Sequence, residues 1–295
     1  MDCIDKKYIN ITSASNSVAG RLLVYLITMD KTDRFWYYID HGASVMAALV
    51  GLNYIWDAPV NKDTQLQIEI LNRAVEEGAD LVMLAANDPI VLSSAIEDAK
   101  SRGVYIIYVD SPANEEAVIT LATDNYKAGT IAGNLMINEM EGKGISSGSI
   151  AIIGVNRVTN STMNREAGFR DIITSDGRFV ILPTVDTEGN IELSQRAAER
   201  FISENEDLVG IFATNEGTTE GVGFAIRSLG SDVIGIGFDY SDIIEELVYD
   251  RSLKAVMLQN PFTMGYLGMA EAYAALHGYN TGPNYIDTGV SVLTR

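Results

Sequence analysis

Residues 208–216 read Leu208-Val209-Gly210-Ile211-Phe212-Ala213-Thr214-Asn215-Glu216. A continuous apolar run ends on a hydroxyl, an amide and a carboxylate. A short run without polar alternation predicts a strand covered on both faces, as in a parallel sheet. Just upstream, Leu193, Ala197, Ala198, Phe201 and Ile202 recur at helical spacing, which predicts an amphipathic helix laid on that sheet.

The same unit recurs in both directions. Strand-like runs occupy Leu22–Thr28, Leu81–Ala86, Val104–Asp110, Ile150–Val155, Phe179–Val185, Leu208–Ala213, Val233–Phe238 and Ala255–Leu258. Helix-like stretches lie between most of them, for example Leu66, Ile68, Ile70, Leu71, Ala74 and Val75. The spacing of about 25–30 residues is that of a βα unit, not of a solenoid repeat. The chain therefore predicts an α/β protein with parallel sheets. At 295 residues it is long enough for two domains. With 47% hydrophobic and 21% charged residues, it has apolar material for two cores.

Net charge and cysteine content narrow the classes of function. A net charge of −19 repels phosphate backbones and anionic headgroups, which argues against nucleic acid and membrane-surface partners. The one cysteine, Cys3, excludes a disulfide within the chain. No apolar run is long enough to span a bilayer, so no direct membrane insertion is expected. Residues 1–19 read as a polar tail, and Met1 to Gly20 shows no apolar leader. Cys3 is either an incidental tail residue or the remnant of a lipid-modified terminus.

In open parallel sheets, ligands bind beyond the carboxyl ends of the strands. The residues there are Asp30 and Lys31, Asn87 and Asp88, Asp110 and Ser111, and Thr123 to Asn125. Next come Asn156 and Arg157, Asp186 and Thr187, Asn215 and Glu216, Asp239, and Gln259 and Asn260. Carboxylates and amides can pair with adjacent hydroxyls in fixed geometry. Phe35-Trp36-Tyr37-Tyr38 follows the first strand and can offer a ring face, while Arg165 can donate a fork of hydrogen bonds. Each residue also has a plainer reading. Asp, Asn, Ser and Thr after a strand are preferred helix caps, Asp88 before Pro89 resembles a cap with proline at the first helical position, and Asp239 or Ser241 can start a helix. At least two of the four aromatic residues should face the core.

Chemistry beyond binding finds little support. His41 and His277 have no metal-ligand spacing, and no metal or cofactor is expected. Gly144-Ile145-Ser146-Ser147-Gly148 matches a nucleophile-elbow pattern, but a polar loop precedes it and a strand follows, the reverse of what the elbow needs. No phosphate-loop or dinucleotide fingerprint occurs. Asn160-Ser161-Thr162 is a formal glycosylation sequon with no supporting context.

Several segments together resemble the type I periplasmic binding protein family, in its sugar-binding branch with ribose-binding proteins and lac-repressor-like effector domains. They are Tyr108–Ser111, Ala122–Gly129, Asn164–Phe169, Ile211–Glu216, Gly235–Asp239 and Leu258–Pro261. None is specific alone, but all occur in family order from about Leu22 onward.

The resemblance implies two similar Rossmann-like lobes joined by three crossovers, near Thr123–Asn125, Gln259–Asn260 and Asp287–Thr288. The N-terminal lobe would hold 20–123 plus 260–287, and the C-terminal lobe 124–259 plus 288–295. It also implies that a ligand sits between the lobes and that a hinge closes over it. Carried over by position, Phe35 and Trp36 match the aromatic pair, Asp110 the cleft aspartate and Arg165 the arginine of the second lobe. Asn215, Asp239 and Gln259 match the hydroxyl-binding set, with Asn87 nearby.

There are departures from the pattern. Ser111 stands where ribose binders often carry arginine, and Asp186 lies in an acidic region where they carry an aromatic residue. The loop Met29–Arg34 is longer, with Lys31, Asp33 and Arg34. Its Lys–Asp–Asp character is similar to that of autoinducer-2-binding relatives. The resemblance therefore implies a monomeric, extracytoplasmic solute-binding protein, not an enzyme, which captures a small sugar or sugar-like ligand at Asp30, Lys31, Phe35, Trp36, Asn87, Asp110, Ser111, Arg165, Asp186, Asn215, Asp239 and Gln259 and delivers it to the permease of an ABC importer. The alternative is a ligand-sensing module, either a receptor partner or a truncated repressor effector domain.

Overall fold

The computed structural model describes residues 22–295. The tail 1–19, with Cys3, lies outside the described residues. The chain begins β1 (Leu23–Ile27), α1 (Arg34–Val50), β2 (Asn53–Asp57), α2 (Thr64–Glu76), β3 (Leu81–Leu84), α3 (Ser93–Ser101), β4 (Tyr105–Val109) and β5 (Thr120–Ala122). It continues through α4 (Asn125–Gly142), β6 (Gly148–Gly154), α5 (Asn160–Asp176), β7 (Phe179–Ile181), β8 (Val185–Asp186), α6 (Ile191–Glu204) and β9 (Leu208–Ala213). It ends with α7 (Glu216–Leu229), β10 (Ile234–Phe238), α8 (Asp242–Tyr249), β11 (Ala255–Gln259), α9 (Pro261–Leu276), β12 (Tyr285–Asp287) and β13 (Val290–Thr294).

Two sheets result. The first has the order β2-β1-β3-β4-β5-β12 and the second β7-β6-β9-β10-β11-β13, with β8 beside β6. Every pairing is parallel except β11 with β13. Each sheet is buried between two apolar clusters. In the first, Leu26, Met83 and Ile107 face α1 and α9, while Ile27, Val82 and Ile106 face α2 and α3. In the second, Ile152, Phe212 and Ile236 face α4 and α5, while Ile153, Ile211 and Val256 face α6, α7 and α8.

Expected strands and observed strands differ in a few places, each for a local reason. The run Phe179–Val185 divides into β7 and β8 around Pro183, which has no N–H to donate to a ladder. Asp88 does not start a helix at Pro89. Its carboxylate accepts from Ile90 N and Val91 N at 2.9 and 3.0 Å in a turn, and α3 begins at Ser93. The edge strands β2, β12 and β13 are short, interrupted or bounded by polar residues, and exposed or half-buried along their length, so their apolar signal is weak. Gly144 to Ser147 form the turn that leads into β6.

The chain passes between the two layered halves three times, between β5 and α4, between β11 and α9, and between β12 and β13. These passages are laced together. Asp124 N donates to Asp287 Oδ1 at 3.1 Å, Asn260 Nδ2 donates to Thr288 O at 2.7 Å, and Thr288 N donates to Ala122 O at 2.9 Å.

In each half one helix pair is drawn together by glycine. A Cβ on Gly42 of α1 would lie 2.1 Å from Phe262 O of α9, and one on Gly265 would lie 1.9 Å from Ile39 O. In the second half, a Cβ on Gly129 of α4 would lie 2.1 Å from Arg165 O of α5, and one on Gly168 would lie 2.1 Å from Tyr126 O. Only a residue without Cβ permits such backbone approach. The second contact falls on the residue that dominates the cleft.

Candidate functional site

In both sheets strand order reverses next to the first strand, between β1 and β3 and between β6 and β9. Loops at the carboxyl ends diverge there and leave a crevice. The two crevices face each other across a narrow chamber of about 30 Å³, well below the roughly 300–1,000 Å³ of ligand pockets, so a ligand needs the walls to part. Its wall is formed by Met29, Asp33, Phe35, Trp36, Lys62 and Asp110 from one half and by Val155, Thr159, Ser161, Thr162, Arg165, Asn215, Asp239 and Gln259 from the other side.

Arg165 is the centre of the polar wall. It is 2% exposed, its Nε donates to Asn125 Oδ1 at 2.8 Å, and its Nη1 donates to Thr214 O at 2.9 Å. The guanidinium lies over the Phe238 ring at 4.4 Å, a cation–π contact that fixes its plane. The two carboxylates Asp110 and Asp239 stand 3.6 and 3.8 Å from it. Both aspartates have positive φ, 60° and 74°, a conformation that Asp tolerates better than most residues and that recurs at functional sites. Each directly follows a strand and keeps its backbone N–H in the sheet, from Asp110 to Leu121 O and from Asp239 to Met257 O. The turn then carries each side chain to the chamber wall.

These carboxylates are expensive to bury. Burial pushes Asp110 up to about 6, with Arg165 opposing the rise and Asp239 adding to it. Asp239 is raised for the same first cause, and Arg165 and the Gln259 amide oppose it. Gln259 Nε2 donates to Asp239 Oδ1 at 2.7 Å. Asp110 Oδ1 and Gln259 Oε1 have no hydrogen-bond partner among the described residues. A buried acceptor left in that state costs free energy unless a donor arrives.

The other wall rests on a second charge cluster. Lys62 Nζ lies 2.8 Å from Asp30 Oδ2 and 3.2 Å from Asp33 Oδ2. Burial lowers the lysine, but Asp33 and Asp30 outweigh it and hold the ammonium above its usual range. Asp30 is raised by burial, yet Lys62 and the backbone of Asp33 and Thr32 leave it below the usual range. Asp33 is pushed up by burial to about 6, because Lys62 is shared and Asp30 repels it. Asp30 also accepts from Trp36 Nε1 at 3.2 Å and from Thr32 N and Asp33 N at 2.8 and 2.9 Å. It is fully buried and holds the loop and the indole in place from behind the chamber wall.

The aromatic quartet divides in two. Phe35 and Trp36 are buried and meet edge to face at 5.0 Å, while Tyr37 and Tyr38 are exposed. Asn215 serves two ends. Its side chain caps α7 through Thr218 N, and its Nδ2 reaches Asp33 Oδ2 of the opposite half at 3.3 Å.

Besides Asp30, which stands behind the wall, four sequence-derived candidates stand away from the chamber lining. Lys31 is drawn outward by Asp57 at 2.7 Å, its side chain 39% exposed, so Lys62 is the lysine of the chamber. Asp186 forms a two-pronged pair with Arg157 at 2.6 and 2.9 Å, and that arginine also holds Glu166. Asn87 and Ser111 form the seam between the halves instead. Asn87 O accepts from Thr159 Oγ1 at 3.2 Å, and Ser111 Oγ accepts from Ser161 N at 3.5 Å. Lys62 escaped the sequence reading because it follows β2, an edge strand whose apolar signal is weak. Thr159, Ser161 and Thr162 escaped because they form the start of a helix whose strand end had been placed earlier, at Asn156.

A periplasmic binding protein domain matches residues 24–280. The chain belongs to that family. It is 29% identical to the ribose import binding protein of Bacillus subtilis over 217 residues, covering 73% of this chain and 69% of that protein. A carbohydrate transporter solute binding protein from Agrobacterium radiobacter, solved in complex with D-arabinose, superposes with a TM-score of 0.89 at 25% identity, covering 94% of this chain and 95% of the other. A solute binding protein from Agrobacterium vitis with bound D-fucose gives 0.88 at 27% identity, covering 92% and 95%. The two-lobed type I periplasmic binding protein fold follows from both lines. No helix among the described residues is long and apolar enough to cross a membrane.

Proposed function

We propose that this periplasmic binding protein captures a single-ring sugar between its lobes and passes it, chemically unchanged, to an ABC importer from the extracytoplasmic side. The observation that carries the reading is a pair of buried acceptors without a hydrogen bond, Asp110 Oδ1 and Gln259 Oε1, at the chamber wall, the first of them 3.6 Å from the Arg165 guanidinium. Acceptors of this kind call for hydroxyl donors. Arg165 supplies the complementary donors for hydroxyl or ring oxygens. Phe35 and Trp36 offer apolar surface to the C–H side of a sugar ring. The ligand-contact set we propose is Asp33, Phe35, Trp36, Lys62, Asp110, Arg165, Asn215, Asp239 and Gln259, with Asp30 supporting it.

An anionic ligand fits poorly. Asp33, Asp110 and Asp239 outnumber Lys62 and Arg165 in the wall, and Lys62 is already held by two carboxylates. The relatives named above are sugar import or solute-binding proteins, which favours transport over sensing. A thermal-shift series with D-ribose, D-arabinose, D-xylose, D-fucose, glucose and simple polyols tests the proposal. At least one pentose or hexose should raise the unfolding temperature, by the equivalent of about 2.7 kcal/mol when present at a hundred times its Kd. No stabilisation by any sugar would sink the reading.

A further inference from the structure

Helix α1 belongs to the first lobe, but its amino terminus is capped by the second. Its own N-cap residue, Asp33, makes no side-chain cap bond. Instead Arg34 N donates to Glu216 Oε1 and Phe35 N donates to Glu216 Oε2, each at 3.2 Å. Glu216 is the first residue of α7 and is 6% exposed. A carboxylate at a helix N-terminus satisfies orphaned N–H groups and meets the positive end of the helix dipole. Here one carboxyl group does so across the cleft, and protonation lets it keep accepting from α1 while shedding the charge that the neighbouring carboxylates repel. Beside it Arg34 Nη1 reaches Asp242 at 2.9 Å, a second bond between the lobes, though an exposed one.

Glu216 does not line the ligand chamber. It lines the wider vestibule next to it, of about 530 Å³, whose walls share Asp33 and Lys62 with the chamber. The charged groups facing it come from several elements. Asp33 and Arg34 stand at the start of α1, Lys62 precedes α2, Glu220 is one turn along α7, and Asp239 follows β10. Glu220 is itself held by Ser241 Oγ at 2.5 Å. Glu188 and Glu192 line the same vestibule, so six carboxyl groups share one region with a single buried ammonium.

We propose that Glu216 is the latch of the cleft, setting ligand affinity without touching ligand by capping α1 across the lobe boundary, and that a proton tunes its strength. The reading rests on the sugar capture proposed above, with a cleft that opens and closes around ligand as the family resemblance implies. In the closed form burial, then Asp33, then Asp239, push the Glu216 carboxyl up to about 8, and the N–H of Arg34 only partly offsets this. In an open form the carboxyl meets water and returns towards the ordinary glutamate value of about 4.3. The closed form therefore binds the proton more tightly. Closure is favoured most below the open-form value and weakens as pH rises through about 8. Asp33 and Asp110 are raised to about 6, and burial also raises Asp239 and Glu220, so the response is assigned to Glu216 by comparison with a side chain there that cannot titrate.

The test measures lobe separation without sugar. Spin labels go on Gln65→Cys of α2 and Arg196→Cys of α6, both exposed and on opposite lobes, in a Cys3→Ser background. The short-distance population should fall by about threefold or more from pH 6.5 to 8.5. Glu216→Gln keeps an acceptor but cannot titrate, so its population should change much less between the two pH values. Glu216→Ala removes the cap and should favour the long distance at pH 6.5. A wild-type population indifferent to pH, a Glu216→Gln variant that keeps the wild-type response, or a Glu216→Ala variant as closed as wild type at pH 6.5 each overturns the latch. Parallel titrations with D-ribose and D-arabinose should show wild-type affinity falling over the same window and Glu216→Gln affinity holding. If neither these nor the other sugars bind, the sugar reading fails, while the distance measurements still decide the latch.

Discussion

Replacing Arg165 with methionine should abolish detectable sugar binding and cost the fold about 3–5 kcal/mol, the usual penalty for removing one partner of a buried ion pair. The guanidinium faces two carboxylates, Asp110 and Asp239, that are both buried. It also holds Asn125 and the Thr214 carbonyl. Methionine fills similar volume but leaves those groups without a donor. Lysine should fail nearly as badly, because a single ammonium cannot match a planar fork with partners on several sides. Calorimetric titration with the best sugar from the thermal-shift series, alongside urea denaturation, measures both effects. Adding Asp110→Asn to the Arg165→Met chain should recover part of the stability and none of the affinity. Additive losses in that double variant would show that the two side chains do not interact, and wild-type affinity in Arg165→Met would remove the arginine from the site.

The second large effect comes from a residue that touches no ligand. Gly129→Val should destabilise the protein by at least the roughly 1–3 kcal/mol typical of overpacking, and sugar affinity should fall with it. A Cβ there meets Arg165 O at 2.1 Å and Phe169 N at 3.0 Å. Those are backbone atoms, so no rotamer change relieves the clash and α5 must move away from α4. Arg165 sits on the turn that moves. Gly142→Ala is the control. It lies at the end of the same helix with no other atom within 4 Å of the added carbon, and alanine is up to about 1 kcal/mol better than glycine in a helix. Equal unfolding midpoints for Gly129→Val and wild type would refute the packing argument.

How far the sequence discloses this molecule depends on burial. Strands covered on both faces, such as Leu208–Ala213 and Tyr105–Val109, announce themselves because every side chain is apolar. Residues at their ends, Asp110, Asn215 and Asp239, could be placed from that alone, and the structure brings all three to one chamber. Edge strands carry a mixed pattern, so β2 passed unseen and Lys62 with it. The side of a loop that a charge occupies is also illegible. Lys31 and Lys62 are both lysines near strand ends, and only the positions of Asp57 and of the Asp30–Asp33 pair send one outward and the other in. Asn215 shows that the cap reading and the cleft reading need not compete, since one amide does both.

The placement of α9 bears on how the protein is made. Met264, Met269 and Ala272 of α9 belong to the same apolar cluster as Leu26, Met83 and Ile107, so the lobe that begins first in the sequence has one sheet face covered by α1 alone until residue 276 has been added. The second lobe needs only an edge strand, β13, beyond residue 259. As the chain grows from its amino end, the lobe begun second can bury its core before the lobe begun first. A chain cut after Asn260 should accordingly protect the 125–259 region from limited proteolysis and leave 22–122 open to it, with a half-covered sheet face prone to self-association. Roughly a third of the polypeptide would wait, partly exposed, for a single late helix, so in a crowded cell this lobe has the greater need of a chaperone.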